Sequence, residues 1–341
     1  MKTPLFIALF LMPTVINAQH HNHTHEIKPS TARSIWGDFA EDELVKTKLV
    51  DYTSTPIAKK VLKNGKPVEG FEYVDSIEVH SMVYDSDGLM VTGFMVRPKE
   101  KGEYPCIIFN RGGNRDFGQL LVGTALTYMG KIASWGYIVA ASNYRGNSNS
   151  EGSEQFGGSD VNDVLNLIPA LGQLEGADTS RIGMLGISRG GMMGYMALKE
   201  QCNIKALVVI GGLSNLFTMK EDRPEMEDHV YAEVIPNYND STKQLLESRS
   251  AAFWADKMCK DTKILILHGE KDKSVSVEQA REMHKKLATI GHDHIYIEFA
   301  KDNHGILKHE EDVSKWLFTW FDKYVYQDKI FSKKANKIEI N

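Results

Sequence analysis

The chain has 341 residues, 42% of them hydrophobic, and carries a formal net charge of −5 at pH 7. This length fits one large globular domain with additions, or two domains, and the apolar share supports a sizeable core. The mild acidic balance and the lack of a basic stripe argue against nucleic acid as a partner.

Residues 1–18 read as a secretory signal, with Lys2 as the positive start, Leu5 to Leu11 as the apolar core and Ala18 at the cleavage position. That core is too short to span a bilayer. No cysteine follows it, which argues against a lipid anchor, and no later apolar run is long enough to cross a membrane. A soluble, exported protein, secreted or periplasmic, is expected. Cleavage would leave the histidine-rich start Gln19 to His25. Such an amine with nearby histidines can hold Cu(II) or Ni(II), but the stretch reads as a solvated polar tail and no metal site is assigned.

Residues 19–76 read as an N-terminal extension, with a helix expected over Phe39 to Leu49 and a turn at Asn64-Gly65-Lys66-Pro67. From Ile77 the pattern alternates with period two, turns at Asp85-Ser86-Asp87-Gly88, and continues in β-rich residues to Val96. This predicts a hairpin. Short apolar strands then alternate with helical patterns. Strands are expected at Cys106 to Asn110, Tyr137 to Ala141, Ile182 to Leu185, Ile204 to Ile210, Ile264 to Leu267 and His294 to Phe299. Helices are expected at Leu120 to Trp135, from Val161 to Leu171, and at Val277 to Ile290, and on a last face made by Val313, Trp316, Leu317, Trp320, Phe321 and Tyr324. The alternation predicts an α/β fold with a mostly parallel central sheet covered on both faces. Residues 329–341 read as a polar tail.

Gly186-Ile187-Ser188-Arg189-Gly190 lies between the strand at Ile182 and a run of helix formers. Strand, sharp turn and helix are what a G-x-S-x-G nucleophile elbow needs. The glycines two before and two after the serine leave room for the turn to close, and the Arg189 N–H faces developing charge at a helix start. A serine nucleophile needs a base, and the base a carboxylate. Asp272 follows the strand at Ile264, and His304 follows the strand at Ile295, each just beyond a carboxyl end, where open α/β sheets place their sites. Glu270 is the runner-up acid and His309 the second choice of base. Asp261 precedes its strand and falls on the wrong side of the sheet, and His292 and His294 come ahead of the body of the last strand. His268 reads as a structural hydrogen-bonder.

Taken with Val275, Asn303-His304-Gly305-Ile306, Asn143-Tyr144-Arg145-Gly146 and Asp160 to Val164, these motifs resemble the catalytic domain of the prolyl oligopeptidase (S9) family of serine peptidases. The resemblance covers about residues 77 to 326 and implies the α/β-hydrolase fold over 77–328, with Ser188 as nucleophile, Asp272 as acid and His304 as base. It implies no cofactor and no metal. The chain departs from the family pattern in two places. Arg189 stands where an aromatic residue often follows the serine. Asn110-Arg111-Gly112-Gly113-Asn114 lacks the tyrosine that often helps form the oxyanion hole. The hole would then use N–H groups of Arg111 or Gly112 with Arg189, or the Arg111 side chain, whose competing reading is a surface salt bridge. The family's large N-terminal propeller has no room in residues 19–76. Residues 213–260 form a long connector with Phe217, Tyr231, Tyr238 and an acidic run, either a cap over the site or a solvated insertion. Cys202 and Cys259 each precede one of two strands that neighbour each other in this fold, which makes a disulfide possible, with Cys106 buried. The expected activity is hydrolysis of short peptides through an acyl-enzyme. Carboxylester cleavage is the alternative within this fold, and a non-catalytic binding protein the alternative outside it. The oligomeric state is left open.

Overall fold

The computed structural model describes residues 31–326, so the expected signal 1–18, the histidine-rich start and the 329–341 tail lie outside the described residues. The strands in chain order are β1 (Val45–Leu49), β2 (Leu62–Lys63), β3 (Lys66–Pro67), β4 (Ile77–Ser86), β5 (Leu89–Pro98), β6 (Tyr104–Asn110), β7 (Ile138–Ser142), β8 (Ala177–Ile187), β9 (Ile204–Ile210), β10 (Lys263–Gly269) and β11 (His294–Phe299). Nine of them form one sheet in the order β1-β4-β5-β7-β6-β8-β9-β10-β11, and β2 and β3 make a small ribbon apart. From β7 to β11 every pairing is parallel, while β1, β4 and β5 run antiparallel at one side. The hairpin between β4 and β5 turns where Asp87 and Gly88 both take positive φ, 58° and 80°, which matches the right-handed twist of the strands it joins.

The parallel strands are buried on both faces, so their side chains divide by period two between two cores. Ile108, Met184, Leu207, Val209, Ile264 and Ile266 pack against the helices at 161–172, Arg189–Glu200 and Val277–Thr289. Ile107, Phe109, Leu185, Val208, Leu265 and Leu267 pack against the helical stretch 122–133 and the helix Glu310–Phe321. The fold is therefore the expected α/β-hydrolase architecture with helices on both faces. The 122–133 helix contains a wide turn over Ala125–Met129, and beyond it Gly130 lies so close to Ile77 that a Cβ there would come within 2.6 Å of its Cδ1.

The helix expected over Phe39 to Leu49 is not formed. Val45–Leu49 is instead an edge strand, paired from Val45 with Tyr84 to Leu49 with His80. The free edge of the β4–β5 hairpin supplies hydrogen bonds that a short isolated helix could not match. Val61, Phe71 and Val74, also from the 19–76 stretch, are buried in the core beneath the 122–133 helix. The 213–260 connector is not a solvated insertion either. Its Leu216, Met219, Tyr231, Ile235, Tyr238 and Leu246 are buried in the first core. Cys202 and Cys259 are joined in a disulfide with their Cα atoms 5.2 Å apart, and Cys106 is a buried free thiol.

Candidate active site

Ser188 stands between β8 and the helix Arg189–Glu200 with φ 56° and ψ −123°. A non-glycine residue there carries about 1–3 kcal/mol of backbone strain, which the surroundings must hold in place. They do so from several sides. Ser188 N–H donates to Ile210 O at 2.9 Å, and Ser188 O accepts from Gly191 at 2.9 Å and Leu213 at 3.2 Å. The two elbow glycines are obligatory on distance alone. A Cβ on Gly186 would sit 2.2 Å from Gly190 O, and one on Gly190 would sit 1.9 Å from Asn110 O.

Asp272 and His304 meet beside this turn, with His304 Nδ1 2.6 Å from Asp272 Oδ2. The Asp272 side chain is fully buried, and His304 keeps 15% of its side-chain surface. Asp272 Oδ1 accepts from Ser274 N–H at 2.8 Å and Val275 N–H at 2.9 Å. Burial alone would raise the Asp272 carboxyl, but hydrogen bonds from His268 and His304 outweigh it and hold the group well below the ordinary carboxylate range. Two glycines that sequence reasoning missed make the meeting possible. At Gly269 a Cβ would come within 2.2 Å of Asn303 O, so the loops after β10 and β11 could not close. At Gly211, with φ 54°, it would press within 3.0 Å of His304 Nδ1. Each directly follows or ends an apolar strand run, which was the only local signal.

The rivals go elsewhere. His309 Nδ1 pairs with Asp302 Oδ2 at 2.8 Å, and the buried Asp302 also accepts from Lys308 and His309 N–H groups. Glu270 turns outward to Lys271 and to Lys301 N–H. His292 bonds to Cys259 O, and His294 meets His284. His268 is the structural hydrogen-bonder expected, with Nε2 3.0 Å from Val275 O. That same Nε2 also lies 3.1 Å from Asp272 Oδ2, a contact that the sequence did not announce.

The oxyanion residues divide. The Arg189 N–H heads its helix and has no intrahelical acceptor. Gly112 abuts the nucleophile, since a Cβ there would lie 3.1 Å from Ser188 Cβ and 3.7 Å from its Oγ. The Arg111 side chain, in contrast, neither reaches toward the site nor forms a surface salt bridge. It is fully buried and turned into main-chain carbonyls. The Arg189 side chain is buried as well. It pairs with Glu154 and, at 2.6 Å, with Asp160, and it lies over the rings of Tyr144 and Phe156. Burial disfavours its charge, but the two carboxylates outweigh burial and raise its pKa.

Residues 213–260 are tethered on both sides of Ser188. Arg223 donates to Ser274 O at 3.2 Å, two residues beyond Asp272. Arg115, in the loop after β6, donates to His229 O and pairs with Glu233 at 2.8 Å. In the sheet order, β8 and β9 lie between β6 and β10. The stretch from 223 to 233 is thus anchored on both flanks of the strand end that carries Ser188. Two of its acids are already engaged, Glu225 with Arg223 and Glu227 with Lys220 and Tyr238.

A model of the prolyl oligopeptidase family matches residues 125–328. An uncharacterized peptidase of Bacillus subtilis, YtmA, is 30% identical over 212 residues, which are 62% of this chain and 80% of that protein. A second, YuxL, is 27% identical over 271 residues, 74% of this chain and 40% of that protein. Among solved structures, an acylaminoacyl peptidase of Pyrococcus horikoshii superposes with a TM-score of 0.64 at 24% identity, over 82% of this chain and 45% of that one. The chain therefore spans most of YtmA but less than half of the larger relatives.

Proposed function

The chain belongs to the prolyl oligopeptidase family of serine peptidases, and from that premise we propose that it is an exported hydrolase of short peptides working through Ser188, His304 and Asp272. The observation that carries this reading is the 2.6 Å hydrogen bond from His304 to the buried Asp272, next to the strained Ser188 turn. In this reading Ser188 Oγ attacks the scissile carbonyl carbon as His304 Nε2 takes its proton. Nδ1–H of His304 stays on Asp272, which fixes the tautomer and stabilises the imidazolium. The N–H groups of Gly112 and Arg189 receive the oxyanion. His304 then protonates the leaving amine, and water releases the acyl group by the same steps in reverse.

The preference for short peptides rests on the 223–233 stretch, which is tethered on both flanks of the strand end that carries Ser188. Export rests on the apolar run from Leu5 and on the Cys202–Cys259 bond, which persists in oxidising compartments. The test combines a fluorophosphonate probe with paired amide and ester substrates of increasing length, each with a free or blocked amino terminus. Ser188 should be the labelled residue, Ser188→Ala should lose about 10⁶-fold in kcat, and cleavage should fall off with peptide length. Fast ester turnover with no amide cleavage would overturn the peptidase reading. A labelled Ser188→Ala protein would overturn the nucleophile.

A further inference from the structure

Residues 111–118, after β6, have little internal order of their own. Gly113, Arg115 and Gly118 all take positive φ, at 74°, 51° and 80°, and one turn bond joins Phe117 N–H to Asn114 O. The backbone doubles back tightly, so that a Cβ on Gly113 would lie 2.1 Å from Phe117 O and one on Gly118 2.6 Å from Gly112 O. Such a loop needs partners for its carbonyls, and the Arg111 guanidinium provides them. Its five hydrogen bonds reach Gly112 O at 3.1 Å, Phe117 O at 3.3 Å, Arg115 O at 3.4 Å and Asn143 O twice, at 3.1 and 2.8 Å.

This arrangement is costly. Among the described residues no carboxylate pairs with Arg111, although it is fully buried. Burial, with the nearby charge of Arg189, pulls its pKa down to about 10, still charged at any working pH. The Glu154 and Asp160 carboxylates act on it only from beyond contact distance, and a buried cation with no carboxylate in direct contact is a poor way to stabilise a fold, so its value must lie in what it positions. Tyr144 completes the device. It is buried, it holds a φ of 65° that a bulky side chain rarely adopts, and its ring lies 5.0 Å from the Arg111 guanidinium and 4.9 Å from that of Arg189. Its hydroxyl donates to Arg111 O at 3.2 Å. That carbonyl shares a rigid peptide plane with the Gly112 N–H. Fixing the carbonyl therefore fixes the direction of the N–H, and the Arg111 fork fixes the next plane through Gly112 O.

We propose that Arg111 and Tyr144 are positioning residues that clamp the two peptide planes of Gly112, so that its N–H is aimed at the oxyanion beside Ser188. The inference rests on the reading of Ser188 as the nucleophile. In this chain the tyrosine acts through the backbone donor and does not touch the oxyanion itself.

The experiment uses the full-length protein and compares Tyr144→Phe, Arg111→Lys, Arg111→Met and Gly118→Ala with the parent. The readouts are kcat, KM, the rate of fluorophosphonate labelling, and affinity for a peptide boronic acid against that for an unreactive product peptide. Tyr144→Phe keeps the ring between the guanidinium groups and removes only the hydroxyl. It should lower kcat by about tenfold, less than the loss of a whole oxyanion donor, and Arg111→Met by about a hundredfold, at the lower end of the range for such a loss. Labelling rate and boronate affinity should fall in step, with KM and product affinity unchanged. Arg111→Lys keeps a cation but not the planar fork and should fall between parent and Met. Gly118→Ala, which pushes on Gly112 O, should reproduce the kcat loss. Should Arg111→Met fail to fold, Tyr144→Phe and Gly118→Ala decide. Parent-like kcat and boronate affinity in Tyr144→Phe would overturn the clamp, as would losses confined to KM, or full activity in Arg111→Lys. A parent whose Ser188 is not labelled marks failure of the nucleophile reading instead.

Discussion

Two histidines compete for the role of base by position in the chain, and their hydrogen bonds separate them. His304 faces Asp272, whereas His309 is held by Asp302, the acceptor that organises its own loop. His304→Ala should therefore abolish measurable peptide turnover, while His309→Ala keeps kcat within a few-fold. Steady-state kinetics with the reverse result would reassign the base. Asp272 also gives a pH dependence whose sign is fixed. Its folded-state pKa lies below the unfolded value of about 3.9. Its carboxylate thus contributes stability that is present above about pH 4 and is lost as pH falls through the folded value. The Tm difference between the parent and Asp272→Asn should narrow between pH 5 and pH 3, because the parent alone loses this contribution. A difference that stays constant over that range would show that the carboxylate is not held down.

At the scale of elements, the antiparallel β4–β5 hairpin must be fastened to the parallel part of the sheet. One fastening is a buried ion pair. Asp163, on the first turns of the 161–172 helical stretch, accepts from Arg145 Nη2 at 2.8 Å, from Arg145 N–H at 2.7 Å and from Ser86 Oγ at 2.6 Å. Ser86 ends β4 and Arg145 follows β7, so one carboxylate joins hairpin, sheet and helix. Asp163→Ala leaves the 7%-exposed Arg145 guanidinium with Asp87 as its one carboxylate and a long 3.4 Å bond to Ser86 Oγ. Removing one partner of a buried pair costs about 3–5 kcal/mol. Calorimetry should show Tm lowered by roughly 5–15 °C, and a shift under 2 °C would show that Asp87 and water suffice.

At the scale of the whole molecule, the Cys202–Cys259 bond closes a loop across 57 residues, from the end of the Arg189–Glu200 helix to the approach to β10. The loop contains β9 and nearly all of the 213–260 connector, so the bond ties the anchored 223–233 stretch back to the sheet. A loop of that length corresponds to about 4 kcal/mol in the chain-entropy account. Unfolded, unreduced protein should titrate one thiol, from Cys106, and reduction should expose two more and lower Tm. Three free thiols before reduction would exclude the bond and remove one support for export.

Features that depend on neighbours close in the chain were determined by the sequence alone. The Ser188 elbow is local in its pattern, because Gly186 meets Gly190 O within the same turn, although Gly190 itself is required by the distant Asn110 O. The parallel strands are local too, because burial on both faces demands unbroken apolar runs such as Ile204 to Ile210. Chain order then led to Asp272 and His304, since each follows a strand whose carboxyl end opens on the same edge. Only the tertiary structure decided what rests on distant partners. Val45–Leu49 became a strand because β4 offered an open edge. The connector became a buried, tethered segment because Arg115, far before it in the chain, and Ser274, beyond its end, hold its flanks. The Arg111 side chain was misread because a guanidinium looks alike in sequence whether it faces solvent or carbonyls. The direction it takes is set by Asn143 and by the doubled-back loop, and no pattern within the chain records that meeting.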